Sequence, residues 1–145
     1  MALDPNSWTQ STQQLVQAAF ELAKEKQHPE VQPDHLYVAL LKLDTGTVPE
    51  TLRAAKVDIG PTMSAIANRL GALSKIIGGS PAAPSASFQQ LLEEADKAKA
   101  TMHDDFVAPE HLLLAGAADL GLSTSDLLVA LQETRGNLRV TDERG

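Results

Sequence analysis

Apolar residues recur along this chain at helical spacing, in blocks separated by short polar breaks. In the first block Leu15, Ala19, Leu22 and Lys26 follow one stripe while Gln17, Glu21, Lys24 and His28 line the opposite face, which predicts an amphipathic helix. Thr9 is placed to cap its N-terminus, with Trp8 just before it to act as a hydrophobic staple. A matching stripe of Phe88, Leu91, Leu92, Ala95, Lys99 and Met102 predicts a second such helix, with Ser87 as its cap. The runs at 36–41 and 112–115 are apolar almost all round, as expected of central helices buried on most sides. Further stretches over roughly 48–56, 61–70 and 125–134 complete a prediction of about seven helices and an all-α fold.

The pattern repeats itself. Val31-Gln32-Pro33-Asp34-His35-Leu36 and Val107-Ala108-Pro109-Glu110-His111-Leu112 both read V-x-P-acid-H-L, 76 positions apart, and the same offset carries Leu15 onto Leu91 and Ala19 onto Ala95. In each copy the proline opens a helix, where its missing N–H costs no hydrogen bond, and the acid sits where the helix dipole favours negative charge. The chain therefore reads as two pseudo-symmetric copies of one helical repeat within a single compact domain. Repeat one covers about 8–70 and a contracted repeat two about 87–136. Between them, about 71–86 has the composition of a flexible connector, in which Ile76 and Ile77 are expected to pack back on the domain.

Composition narrows the function classes. Hydrophobic residues make up 43% of the 145 and aromatics only 3%, so the core must be built from Leu, Val, Ile and Ala, which suits helix-on-helix packing. A net charge of −7 argues against nucleic acid and anionic membranes, both of which demand basic surface. With no cysteine, disulfides and thiolate metal sites are excluded and a cytoplasmic location is expected. The first ten residues carry neither a basic stretch nor an apolar run, and no stretch is long enough to span a bilayer. Acidity without a heptad stripe predicts a monomer.

Catalytic signatures are missing. Gly78-Gly79-Ser80 lacks the spacing and lysine of a phosphate loop, and no G-x-S-x-G or H-E-x-x-H occurs. His35 and His111 are repeat mates, and His28 and His103 sit at nearly equivalent places; residues multiplied by duplication are read as hydrogen-bonded structural groups, not metal ligands. Tyr37 is read as a core residue with its hydroxyl at the edge. The acids remain. Asp104, Asp105 and Glu110 cluster around the second proline motif with Phe106 among them, and Asp34 and Glu30 occupy the related place in the first copy. Helix-dipole complementation accounts for them blandly; an exposed acidic rim beside an apolar groove is the functional reading. On the latter, replacing Asp104 and Glu110 by alanine would leave the fold nearly intact, since exposed charges contribute only ~0–1 kcal/mol.

Trp8-Thr9, Pro33-Asp34-His35-Leu36 with Ala39-Leu40-Leu41, and Phe106-Val107-Ala108-Pro109-Glu110-His111 together resemble the duplicated Clp N-terminal domain. The tail Arg135-Gly136-Asn137-Leu138-Arg139-Val140-Thr141 is similar to the exit by which ClpB-type AAA+ disaggregases pass into their first ATPase ring, so 137–145 is read as the start of a linker and the chain as part of a longer protein. The resemblance implies a substrate-recognition domain that binds unfolded or aggregated polypeptides weakly and passes them to the pore of a hexamer assisted by the DnaK system. It marks Thr9, Asp104, Glu110, Asp34 and Phe106 as substrate-binding positions. It implies no cofactor in this chain, with ATP and magnesium belonging to the ATPase rings. A second reading is the N domain of a ClpC- or ClpA-type protease unfoldase, in which positions matching Asp34 and Glu110 serve adaptor or modified-arginine recognition. A remote third is a small enzyme using acids and histidines in a cleft.

Overall fold

The computed structural model describes residues 4–76 and 81–136, so the expectations for Ile77, for Gly78-Gly79-Ser80 and for 137–145 lie outside the described residues. Among these, seven α-helices follow one another: α1 Gln10–Glu25, α2 Pro33–Leu41, α3 Thr47–Ala54, α4 Ile59–Gly71, α5 Ala86–Thr101, α6 Pro109–Gly116 and α7 Thr124–Arg135. Two short strands, β1 Glu30–Val31 and β2 Ala83–Pro84, complete the elements that organise the halves.

Helix starts follow local chemistry. The Thr9 hydroxyl accepts the Thr12 N–H at 3.1 Å and caps α1. The cap of α5 is Ser85, whose hydroxyl accepts the Phe88 N–H at 3.0 Å, two residues before the serine expected from sequence. The repeat explains the choice, because Ser85 stands 76 positions after Thr9. Both helices end in the same way: Gln27 and His103, again 76 apart, adopt left-handed φ of 59° and 60°. The following N–H groups, of His28 and Asp104, then return to the carbonyls of Ala23 and Lys99.

The halves are tied by a reciprocal exchange. Val31 of the first copy pairs in parallel with Pro84, ahead of α5, while Val107 of the second pairs in parallel with Trp8, ahead of α1. Correspondingly the Ser85 N–H donates to the Val31 carbonyl at 3.0 Å and the Thr9 N–H to the Val107 carbonyl at 2.9 Å. Each copy thus supplies the strand that the other needs, and neither half is complete alone.

Helices α1 and α2 pack together, as do α5 and α6, and α3 packs against α7 across the two halves. One apolar cluster runs through the whole, centred on α2 and α6, where Leu36, Tyr37, Leu40, Leu112 and Leu113 are fully or almost fully buried. Phe20 meets Phe88 edge-to-face at 5.9 Å, joining α1 to α5. Tyr37 crosses to the second half and donates its hydroxyl to Asp119 at 2.8 Å. Its ring lies over Gly116, where a Cβ would come within 2.5 Å of Cε1. Gly116→Ala is therefore expected to lower stability by about 1–3 kcal/mol through overpacking, read as a drop in thermal midpoint; an unchanged midpoint would mean that the ring has room to move.

No helix among the described residues is long and apolar enough to cross a membrane.

Candidate functional site

The acids of the second proline motif lie inside the molecule. Asp104 and Glu110 are each 5% exposed, and Arg135, the last residue of α7, is 8% exposed beside them. The Arg135 guanidinium grips Asp104 through two bonds, 2.7 Å to Oδ1 and 3.0 Å to Oδ2, and stands 3.5 Å from Glu110 Oε2. His111 completes the group. Its Nδ1 accepts the Ala108 N–H at 2.8 Å, so its proton is on Nε2, which donates to Asp104 Oδ2 at 2.7 Å. Burial raises the Glu110 carboxyl above its ordinary range against the pull of Arg135. Burial likewise lowers the His111 imidazole, with Asp104 pulling the other way.

This corrects the expectation of an exposed acidic rim at Asp104 and Glu110. A carboxylate at the start of a helix is compatible with either placement, and the deciding partner, Arg135, arrives from 31 residues beyond Asp104. Thr9 is also fully buried. It caps α1 and joins Thr12 hydroxyl to hydroxyl at 3.0 Å, while Thr12 donates to the Val107 carbonyl at 2.7 Å. Phe106 is partly buried just before that strand pairing. Thr9, Phe106, Asp104 and Glu110 therefore share one region of the molecule, and Asp34 stands apart from them.

Asp34, the repeat mate of Glu110, lies on an open cleft of about 530 Å³ lined by Gln32, Pro33, Arg69, Leu73, Ser87 and Asp119. Arg69 of α4 holds it with two bonds, at 2.8 Å and 2.7 Å. Both proline-motif acids thus already face a guanidinium of their own chain.

In the first half the joint is built differently. The position matching Asp104 is His28; His103, one residue earlier, matches Gln27. His28 Nδ1 lies 2.8 Å from His35 Nε2, with both rings buried. Burial, then His28, lowers the His35 imidazole to about 4, and burial, then Lys26 and Lys75, lowers His28. The sign follows. Groups that bind protons less readily folded than unfolded add stability above about pH 6.5 that is lost as pH falls toward 4, whereas Glu110 acts in the opposite direction.

The described residues form no group of three or more His, Asp or Glu able to hold a metal ion. What they do present is an apolar groove of about 280 Å³ between α5, α6 and α7, floored by Ala98, Met102, Leu114 and Ala115 and edged by Leu128. Leu128 and its neighbour Val129 are 44% and 59% exposed, the largest outward apolar side chains of α7. On the opposite rim Lys97 and Glu94 satisfy each other at 3.3 Å. Leu127 and Leu131 of the same helix go inside.

The family described as the Clp repeat N-terminal domain matches residues 7–131. The chain belongs to that family. Among curated relatives, the chaperone protein ClpB of Bacillus anthracis is 29% identical over 97% of this chain, which spans only 18% of the length of that relative. The N-terminal domain of Hsp104 from Candida albicans has the same fold, with a TM-score of 0.80 at 22% identity over 95% of this chain and 97% of that one. A ClpV N-domain solved in complex with a VipB peptide gives a TM-score of 0.66 at 26% identity, over 88% of this Clp N-domain and 78% of that chain. The all-α, seven-helix architecture and the Clp N assignment expected from the two proline motifs stand on these matches.

Proposed function

We propose that this Clp N-domain is the substrate-engaging module of a ClpB- or Hsp104-like disaggregase, and that it holds apolar segments of unfolded or aggregated polypeptides in the groove between α5, α6 and α7. The observation that carries the reading is the pairing of a concave apolar floor with the outward Leu128 at its edge. A neighbouring N-domain, that of ClpV, takes a peptide from its partner VipB, which supports peptide binding by this fold. In the full-length protein, ATP and magnesium would be used by the ATPase rings of a hexamer working with the DnaK system. Six weak sites around one pore gain through effective concentration, so each can have a dissociation constant of ~0.01–1 mM and still retain and release substrate.

Of the positions the family resemblance marks, the open cleft at Asp34 and the partial exposure of Phe106 support a part in touching substrate. Thr9, Asp104 and Glu110 act from beneath the surface, by holding the helices that form it. The adaptor or modified-arginine reading fits less well, because an incoming guanidinium would have to displace Arg69 from Asp34 or Arg135 from Glu110.

The test is a titration with reduced, carboxymethylated α-lactalbumin, a permanently unfolded protein. Leu128→Ser is expected to weaken its binding about tenfold, equivalent to about 1.4 kcal/mol. Thermal unfolding should barely move, because exposed substitutions stay within about 0.5 kcal/mol. Unchanged affinity in the folded variant would sink the groove as the binding site.

A further inference from the structure

We propose that the His28–His35 pair is an acid-operated release in the first repeat: protonation opens the α1–α2 connection and frees β1 from β2, while the matching joint of the second repeat, built on a carboxylate, yields less readily.

His35 Nδ1 accepts the Gln32 N–H at 2.8 Å, so the His35 proton is on Nε2 and points at His28 Nδ1, 2.8 Å away. His28 must then accept at Nδ1 and carry its own proton on Nε2. Two neutral rings fill this arrangement completely. A third proton has only His35 Nδ1 or His28 Nδ1 to go to, and each already faces a donor. Either choice breaks one of the two hydrogen bonds and places a cation in a buried site.

The charges around the pair set how readily that happens. Lys26 at the end of α1 and Lys75 beyond α4 oppose a further positive charge, whereas Asp34 in the first turn of α2 favours one on His35. Glu30 on β1 lines the small cleft of about 140 Å³ beside His28 and accepts from Gln32 Nε2. That cleft gives water and protons a route to the ring.

What the pair holds is the connection itself. Residues 27–31 receive three ties from elsewhere: Ile76 N–H to the Gln27 carbonyl, Ala83 N–H to Pro29, and Ser85 N–H to Val31. Gln27 also sits in the left-handed region, so the connection has a reason to relax when its lock fails. In the second repeat the same place pairs His111 with the Asp104 carboxylate, backed by Arg135. Protonating that imidazole costs the Ala108 N–H bond to Nδ1, but it keeps the Nε2 bond to the Asp104 carboxylate and adds an attraction to it. Duplication has therefore left one joint in which a further proton meets a neutral ring and one in which it meets a carboxylate.

Amide exchange of the full 145-residue chain, followed by NMR and corrected for intrinsic rates, tests this directly. Between pH 7.5 and 4.5 the protection of Ile76, Ala83 and Ser85 is expected to fall ~50–100-fold, the ratio that follows from His35 closing at about 4 and opening at its ordinary value. Protection of Thr9, whose N–H donates to Val107 in the equivalent tie, should fall less than that of Ser85. His28→Asp, which transplants the second-repeat chemistry, should abolish the difference between Ser85 and Thr9. Parallel loss at Ser85 and Thr9 in the wild type would overturn the proposal. So would ordinary titration of the folded His35 ring near pH 6.5 with Ser85 still protected, a measurement that needs no variant.

Discussion

Arg135→Met is expected to destabilise the domain by about 3–5 kcal/mol at neutral pH, more than any surface change considered above. The reason is what the substitution leaves behind. Asp104 and Glu110 stay buried, 5% exposed each, and lose the guanidinium that faces both of them. Methionine replaces the aliphatic stem well, so the loss reports the stranded charge more than a cavity. Arg135→Lys keeps a positive charge but cannot grip Asp104 through two bonds, and an intermediate loss is expected from it. Urea unfolding of the two variants, with Asp104→Asn and the Asp104→Asn/Arg135→Met pair to close a double-mutant cycle, measures the coupling. A loss under about 1 kcal/mol for Arg135→Met would show that the two carboxyls reach water or are already neutral in the folded domain. The same geometry reverses the outcome expected for an exposed rim: Asp104→Ala should damage the fold, because it removes the carboxylate that Arg135 grips and the acceptor of the His111 Nε2–H.

The second large effect concerns the two central helices. Leu36→Ala and Leu112→Ala are each expected to lower stability by about 2–5 kcal/mol, since both side chains are fully buried and the deletion leaves a cavity. They occupy the same place in the two proline motifs, and both belong to one apolar cluster that crosses the pseudo-two-fold. Comparable losses at the two sites, read from thermal or urea unfolding, are the expected result. A loss near zero at both would be incompatible with α2 and α6 forming the centre of the core. A large loss at only one would mean that the two halves relax around a cavity to different extents, which the shorter second copy makes possible.

Much of this was legible beforehand, for a physical reason. Helical periodicity is a local property, and a duplicated sequence states it twice. The stripes around Leu15 and Leu91, the apolar runs at 36–41 and 112–115, and the Thr9 cap all express contacts within one or two turns of their own chain. The two V-x-P-acid-H-L motifs also sufficed to place the chain in its family, since a proline at the first helical turn followed by an acid and a buried histidine constrains three positions together. Even the Asp104–His111 joint left a trace. Applying the offset of 76 to His28 lands on Asp104, and to Thr9 on Ser85, the cap that composition alone misplaced at Ser87.

Only the tertiary structure decided which acids are surface and which are interior. Asp34 and Glu110 are equivalent in sequence, yet one borders an open cleft and the other is buried, because their arginines come from different helices, α4 and α7. Nothing local to an acid announces a guanidinium that arrives from 25 residues beyond Glu110 or 35 beyond Asp34. The reciprocal strand exchange was equally invisible: β1 and β2 are two residues each, too short to show any alternation, and they exist because the halves face one another. The groove was hidden for the same reason. Leu127, Leu128 and Leu131 are alike in sequence, and only the packing of α7 against α3 turns Leu127 and Leu131 inward and leaves Leu128 at the edge of the apolar floor. Which residues form helices was set by neighbours along the chain; which of their side chains meet water was set by neighbours in space.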